Sequence, residues 1–209
     1  AALRENRNKA YEDFAAVAED LIARKITQPK RLGMQGGSNG GLLMGNMTVM
    51  YPQLFGAVVC QVPLLDMQRY HKLLAGASWM AEYGDPDVPG DWAFLSKYSP
   101  YQNVRKDVAY PPVLFTTSTR DDRVHPGHAR KMMARMQEQG HDVLVAPLFL
   151  SEGYFTKVVI PQRLEGLEYA FSRREDESIC ARQFEDQAVA VAGLGVARLE
   201  HAQMGEHVA

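Results

Sequence analysis

The segment Gly36-Gly37-Ser38-Asn39-Gly40 carries the strongest chemical signal in the chain. It fits the pattern G-x-S-x-G, in which small neighbours permit a sharp turn from a strand into a helix, expose the serine hydroxyl and direct backbone N–H groups at a developing oxyanion. The pattern also fits a glycine-rich loop that binds phosphate at the N-terminus of the next helix. A strand before the turn and a helix after it favour a nucleophilic serine, because the motif requires that context.

A carboxylate pair, Asp121 and Asp122, follows an apolar run that reads as a strand. A carboxylate there would lie at the carboxyl edge of the sheet that also presents Ser38. In α/β-hydrolases the chain order is serine, acid, histidine, and the first two members stand here in that order. The alternative is an aspartate that caps a turn or the helix that starts at Gly127.

The histidines match this order less well. A general base must reach the serine hydroxyl, yet none of the six histidines lies between His141 and His201. His125 and His128 read as surface residues, since no third ligand completes a metal site. His141 precedes a strand, which places it at the opposite edge of the sheet. His201 and His207, near the end of the chain, are the remaining candidates for a replacement base.

The elements that would position these residues alternate between helix and strand, which predicts an α/β fold with a mostly parallel sheet and flanking helices. A long, turn-rich connection over 66–110 is of the kind that usually serves function. Beyond residue 150 the chain is rich in charge and weakly helical or poorly ordered, so we predict a hydrolase domain over 1–150 and an atypical tail over 151–209. The predicted strands are 31–35, 55–62, 113–117 and 142–149, and the predicted helices are 8–25, 42–50 and 127–139, with Gly140 as the last C-cap.

Composition narrows the classes of function. A net charge of −2 and dispersed Lys and Arg argue against nucleic acid as a partner. Cys60 and Cys180 read as free thiols, because their spacing suggests neither a metal site nor a disulfide framework. No apolar run reaches the roughly 18 to 20 residues that cross a bilayer, and 1–9 is charged where a secretory signal needs apolar residues. We therefore expect a cytoplasmic protein, or a periplasmic one whose signal has been lost.

Several motifs in one order resemble the prolyl oligopeptidase family. They are KRLGMQGGSNGGLLMGNMTVMYPQLFGAVVCQVPLLDM (30–67), SWMAEYGDP (78–86), KYSPYQNV (97–104) and PPVLFTTSTRDDRVHPGHARKM (111–132). The resemblance extends from Tyr11 to Leu144 and implies part of an α/β-hydrolase fold. It further implies a serine peptidase that cleaves short peptides after proline by acyl transfer, with no metal or cofactor.

The resemblance also implies a role for individual residues. Ser38 would be the nucleophile, the Asn39 N–H an oxyanion donor, and Asp121, the first of its pair, the acid that orients a histidine. Trp79 would stack on the ring of the proline before the cut, and Arg123 would bind a substrate carbonyl. Without the family, Trp79 reads as an ordinary aromatic residue and Arg123 as a salt-bridge partner. The other residues that would line the pocket are Val62, Tyr83 and Val124.

The chain also departs from the family. The family places its base in a glycine-rich loop after the strand predicted here over 142–149, where this chain has no histidine. The family's β-propeller, its first sheet strands and a tyrosine oxyanion donor would precede Ala1. Past Leu144 the tail is unlike the family, as expected of a truncated gene with a shifted reading frame. An inactive remnant or interaction module, and a carboxylesterase-like hydrolase, are therefore the alternatives to a peptidase.

Overall fold

The computed structural model describes residues 2–118 and 120–141, together with the backbone of three short strands further along the chain. The chain divides into two compact units, Ala1–His141 and Asp142–Ala209, which are described separately. All of the predicted site residues from Ser38 to Val124 belong to the first unit. His201, His207 and Cys180 lie outside the described residues.

A parallel sheet forms the centre of the first unit. Its strands, in spatial order, are β1 (Gly33–Gly37), β2 (Ala57–Gln61) and β3 (Val113–Thr116). The three carboxyl ends share one edge, because Gln61 lies in register with Gly37 on one side and Thr116 on the other. Val58 and Cys60 are buried at 1% and 0% exposure, as the apolar run of β2 predicts.

Among its described residues, the first unit has three helices of 12 residues or more. They are α1 (Asn8–Ala23), α2 (Asn39–Met50) and α6 (Gly127–Glu138), of which α2 packs against β1 and β2. In α1 the buried residues Tyr11, Ala15 and Ala18 recur at three- and four-residue spacing, as expected of a helix with one buried face. Most of α2 is buried instead, so this helix lies in the core. The predicted α/β class with flanking helices is confirmed.

The ends of the elements differ slightly from the predictions. β1 is shifted two residues along the chain from the predicted 31–35. The cause is a 3₁₀ turn over Pro29–Arg31, in which the Leu32 N–H donates to the Pro29 carbonyl at 3.1 Å, so that extended pairing starts only at Gly33. α2 begins at Asn39, three residues before the predicted start, and Gly140 follows α6 with a positive φ of 85°.

The connection over 66–110 is built from short helical turns. Tyr98 and Tyr83 are buried there, and the Tyr98 hydroxyl donates to the Tyr83 carbonyl at 3.2 Å. The elements are 3₁₀ turns at Tyr70–Lys72, Leu74–Trp79 and Ser96–Tyr98, and the helices α3 (Met80–Tyr83), α4 (Pro89–Leu95) and α5 (Pro100–Asn103).

In the second unit, β4 (Leu144–Val145), β6 (Gly195–Arg198) and β5 (Tyr169–Phe171) form an antiparallel sheet in that order. β4 falls within the strand predicted over 142–149. The rest of that strand, the predicted boundary at residue 150 and most of the predicted tail lie outside the described residues. Among the helices that the structure describes, none is long and apolar enough to cross a membrane.

Candidate active site

Ser38 alone connects β1 to α2. Its backbone has φ 57° and ψ −115°, a conformation that a residue with a side chain rarely adopts. The turn is held on both sides, since the Ser38 N–H donates to the Gln61 carbonyl at 3.0 Å and the Ser38 carbonyl accepts from the Leu42 N–H at 3.1 Å. Such strain costs on the order of 1–3 kcal/mol and is typical of functional sites. The predicted strand–turn–helix arrangement is therefore present, with Ser38 at the carboxyl edge of the sheet.

The glycines in and next to the motif differ in how much space a side chain would have. A Cβ on Gly36 would lie 2.5 Å from the carbonyl oxygen of Gly40, so only glycine fits where the turn folds back on itself. A Cβ on Gly41 would lie 2.7 Å from Cα of Pro63. A Cβ on Gly40 would meet nothing within 4 Å. The sharp turn thus depends on the absence of a side chain at Gly36 and on close packing at Gly41.

Asn39 is the first residue of α2. The first N–H groups of a helix have no partner within the helix, so the Asn39 N–H is a donor at the same edge as Ser38. Its side chain is held from two sides: Oδ1 accepts a hydrogen bond from the Tyr83 hydroxyl at 2.9 Å and another from Nη2 of Arg7. The predicted pocket residue Tyr83 thus contacts the residue that follows Ser38.

Arg7 was not among the residues singled out from the sequence. It is 9% exposed, its Nη1 lies 2.5 Å from Oε1 of Glu82, and its guanidinium lies 5.0 Å from the centre of the Tyr83 ring. Burial lowers the pKa of Arg7, but the neighbouring Tyr11, Glu82 and Tyr83 outweigh this and raise it. The positive charge therefore persists beside the Ser38 turn.

Asp121 follows the carboxyl end of β3, at the edge of the sheet that carries Ser38. Its Oδ1 accepts hydrogen bonds from the N–H groups of Arg123 at 2.9 Å and Val124 at 2.8 Å. Asp122 is exposed, whereas Asp121 is partly buried. Asp121 therefore caps a turn, which is the alternative role that the sequence left open. These hydrogen bonds also fix its carboxylate in the loop where the acid of a catalytic triad is expected.

Trp79 and Arg123 lie on elements that contact each other. Arg123 is exposed, and its carbonyl accepts from the N–H of Ala75 at 3.4 Å, near the start of the 3₁₀ turn that Trp79 ends. Trp79 is partly buried, and α3, which carries Tyr83, follows it directly. The segment with Trp79 therefore runs between the loop of Arg123 and the side chain of Asn39.

The remaining residues that were predicted to line a pocket lie at the end of a strand or in the core. Val62 directly follows β2 with a positive φ of 36°, unusual for a β-branched residue, and its N–H donates to the Thr116 carbonyl at 2.7 Å. Val124 and Tyr83 are buried at 4% and 1% exposure, and burial raises the pKa of the Tyr83 hydroxyl. A second strained residue thus lies at the same edge as Ser38.

The expectation that His128 is a surface residue was wrong. His128 is 1% exposed, and its Nδ1 accepts from the N–H groups of Leu65 at 3.3 Å and Asp66 at 3.1 Å. Burial lowers its pKa to about 4, so the ring is neutral near pH 7 and serves as a buried acceptor. The sequence held a signal for this, because His128 precedes the buried Met132 and Met136 by four and eight residues on one face of α6.

The other described histidines also have partners. Nδ1 of His125 accepts from the Gly127 N–H at 2.9 Å, and Nε2 of His71 lies 3.0 Å from a carboxylate oxygen of Asp87. His141 contacts the Arg105 carbonyl and lies 4.9 Å from the Tyr110 ring, which precedes the amino end of β3. His141 therefore lies at the edge opposite Ser38, as predicted.

One cluster in the described part of the chain has the spacing of a metal site. Ligand atoms of His71, Asp85 and Asp87 lie within 4.8 Å of one another. However, Nζ of Lys72 lies 2.9 Å from Asp87 and already neutralises that carboxylate. The expectation that the chain uses no metal stays a prediction. Cys60 is free, as predicted; it is also buried, and burial raises the pKa of its thiol.

Comparison with known proteins places these features in a family. The model of the prolyl oligopeptidase family matches residues 1–156, a wider span than the motifs from Tyr11 to Leu144 suggested. A second family model, CbiX, matches residues 123–199. An uncharacterized peptidase of Sinorhizobium fredii is 57% identical over 140 residues, which cover 67% of this chain and 19% of that protein. The prolyl endopeptidase of Dictyostelium discoideum is 40% identical over 151 residues, which cover 72% of this chain and 20% of that protein.

Solved structures that resemble this chain belong to the same family. A prolyl endopeptidase matches with a TM-score of 0.65 and 50% identity over 66% of this chain and 20% of its own. A post-proline cleaving enzyme from Rickettsia typhi matches with a TM-score of 0.65 and 47% identity over the same shares. The chain thus spans about a fifth of the length of these relatives, and its fold is that of the α/β-hydrolases. The chain belongs to the prolyl oligopeptidase family of serine peptidases.

Proposed function

We propose that the chain is the nucleophile-bearing part of a serine peptidase that cleaves short peptides after proline, with Ser38 as the nucleophile. The strained turn at Ser38, between a parallel strand and the first residue of a buried helix, is the observation that carries this proposal. A turn that costs energy persists only where its surroundings hold it, and here backbone hydrogen bonds hold it on both sides.

The chemistry is acyl transfer. Oγ of Ser38 attacks the carbonyl carbon of the residue before the cut, its proton passes to a base, and the oxyanion that forms accepts a hydrogen bond from the Asn39 N–H. The carbonyl re-forms as the C–N bond breaks, and the protonated base donates its proton to the leaving amine. Water then attacks the ester at Ser38, the base takes a proton from the water and returns it to the leaving Oγ, and the carboxylic acid is released. Asp121 would hold the base, while its Oδ1 is fixed by two loop amides.

Specificity for proline would rest on Trp79 and Arg123. A proline ring is a compact, apolar group without an N–H, so an aromatic face suits it as a partner. Arg123 would then bind a backbone carbonyl of the substrate. Support comes from the hydrogen bond between Ala75 and Arg123 and from the position of Trp79 between that contact and α3. Val62, Tyr83 and Val124 would line the same pocket.

Labelling with a fluorophosphonate tests the role of Ser38. We expect the reagent to modify Ser38 at alkaline pH, where hydroxide accepts the proton that a histidine would otherwise take. Mass spectrometry identifies the modified residue. Ser38→Ala should abolish labelling, whereas Ser78→Ala, which removes an exposed serine next to Trp79, should leave it unchanged. Labelling no faster than that of the urea-unfolded chain would contradict the proposal.

An inactive remnant is the second candidate. It is favoured by the four histidines of the described residues, each of which has a partner other than Asp121. DNA sequencing around the codons for 144–152 would test it, since a family-like Gly-His-Gly segment in another frame would establish a frameshift. A carboxylesterase is the weaker alternative, because it gives no reason for Trp79 and Arg123 in the family's spacing. Comparing peptide amide with simple ester hydrolysis in an intact relative separates the two.

A further inference from the structure

The N-terminal segment reaches the Ser38 turn through one buried side chain. Arg7 directly precedes α1, and its guanidinium joins residues that are distant in the chain. Nη1 contacts Glu82, and Nη2 donates to Oδ1 of Asn39, which also accepts from the Tyr83 hydroxyl. The face of the guanidinium lies over the Tyr83 ring at 5.0 Å. Arg7 therefore touches Asn39 directly and also touches the other group that holds Asn39.

This position matters because the neighbouring backbone is strained. Ser38 has φ 57° and ψ −115°, and such a conformation persists only where the surroundings determine it. The backbone hydrogen bonds of Ser38 fix the start of the turn, and side-chain hydrogen bonds from Arg7 and Tyr83 hold Asn39, the residue that follows. Asn39 itself is exposed, whereas Arg7 and Tyr83, which donate hydrogen bonds to its carboxamide oxygen, are buried.

We propose that Arg7 is a positioning residue for the proposed nucleophile: it fixes the Asn39 carboxamide and thereby the direction of the Asn39 N–H toward the oxyanion formed at Ser38. The effect on catalysis rests on the proposed function, in which Ser38 is the nucleophile. The positioning of Asn39 stands by itself and has its own measurement.

Arg4 provides a matched control. It has the same side chain, lies three residues earlier and also binds a carboxylate of the 66–110 connection, with Nη2 at 2.8 Å from both oxygens of Asp91. Its guanidinium also lies over an aromatic ring, that of Phe94, at 5.8 Å. Arg4 thus ties the same segment to the same connection, and its hydrogen bonds do not involve Asn39. If Arg7 only ties the two segments together, the labelling rate of Ser38 and the signals of Asn39 should be the same in both variants wherever both are folded.

The experiment compares Arg7→Met with Arg4→Met in the full chain, at a temperature where circular dichroism shows both to be folded. The first readout is the rate constant for fluorophosphonate labelling of Ser38 at alkaline pH, in which an Oγ–P bond forms, the P–F bond breaks, fluoride leaves and hydroxide takes the proton. We expect Arg7→Met to label about tenfold more slowly or worse, since a small misplacement of an oxyanion donor is costly. We expect Arg4→Met to stay within about twofold of the unchanged chain.

The second readout does not depend on reactivity. In ¹⁵N-resolved NMR spectra, Arg7→Met should shift the carboxamide signals of Asn39 and speed hydrogen exchange at its N–H, whereas Arg4→Met should change neither. If the unchanged chain does not label at Ser38, the proposed function fails, and the NMR comparison alone decides the positioning of Asn39.

Equal labelling rates together with equal Asn39 spectra in the two variants would overturn the proposal. If Arg7→Met does not fold, a comparison of Arg7→Lys with Arg4→Lys replaces the comparison of the two methionine variants. A lysine keeps the charge but has a single nitrogen, so it cannot reproduce the separate bonds to Glu82 and Asn39. We expect Arg7→Lys to label at a rate between those of Arg7→Met and the unchanged chain. A rate no different from that of Arg4→Lys, with unchanged Asn39 signals, would again overturn the proposal.

Discussion

Replacing Gly36 by alanine should destabilise the protein, although this is the smallest possible addition. The new Cβ would lie 2.5 Å from the carbonyl oxygen and 2.8 Å from the carbonyl carbon of Gly40, and 3.0 Å from Cγ of Met44. The methionine can move, but the Gly40 backbone is fixed in the first turn of α2. Gly36 has no positive φ, so the effect is steric and not conformational. Overpacking of this kind costs about 1–3 kcal/mol, and a backbone obstacle places it at about 2 kcal/mol or more.

Gly40→Ala is the matched control. It makes the same chemical change in the same motif, but its Cβ meets nothing within 4 Å. Alanine is preferred over glycine in a helix by about 0.8–1 kcal/mol, so this variant should be as stable as the unchanged chain or slightly more stable. Urea unfolding followed by circular dichroism measures both, through the shift of the midpoint at equal slope. The reasoning is refuted if the two variants unfold within about 0.5 kcal/mol of each other, the usual range for neutral substitutions.

Three further predictions concern His128, Trp79 and turnover. The pKa of His128 is lowered by burial from 6.5 to about 4. The unfolded chain therefore takes up this proton first, and stability should fall by about 2 kcal/mol as the pH decreases from about 7 to about 5. Urea midpoints at each pH should show this loss, and His128→Asn, which keeps an acceptor for the two amides, should remove it. A proline-containing peptide should change the tryptophan fluorescence of the chain and of Trp92→Phe, but not that of Trp79→Phe; a signal that depends on Trp92 would contradict stacking on Trp79. Turnover of a chromogenic Gly-Pro substrate should be negligible, because loss of the base costs about 10⁶ in rate, or about 8 kcal/mol of barrier; turnover near 1 s⁻¹ that disappears in Ser38→Ala would contradict this.

The sequence predicted the parts of the site that local pattern determines. The apolar run of β2, the glycines around Ser38 and the chain order of serine and acid are each visible within a few residues. These features fix the strand, the turn and the edge of the sheet, because parallel strands end together. The starts of β1 and α2 moved by two and three residues, since a 3₁₀ turn delays the strand and the helix begins directly after Ser38, and β2 starts two residues later than predicted.

Contacts between distant residues were not predicted. Arg7 lies 32 residues from Asn39 and 75 from Glu82 in the chain, and no periodicity connects positions so far apart. On sequence, Arg7 is one charged residue in a charged segment. His128 is a different case, because its spacing from Met132 and Met136 indicates burial, whereas the surface prediction followed only from the lack of a third metal ligand.

Within the described residues, no histidine takes part in the hydrogen bonds that hold Ser38 and Asp121 in place. Ser38 is held by backbone bonds to Gln61 and Leu42, and Asp121 by the amides of its own loop. The strain at Ser38 is therefore maintained whether or not a base is present, and losing the base removes chemistry without removing the fold. An active peptidase and an inactive descendant would share this turn and could both be labelled at Ser38 when hydroxide serves as the base, so neither result separates the two. Turnover of a proline-containing substrate is therefore the measurement that decides between them.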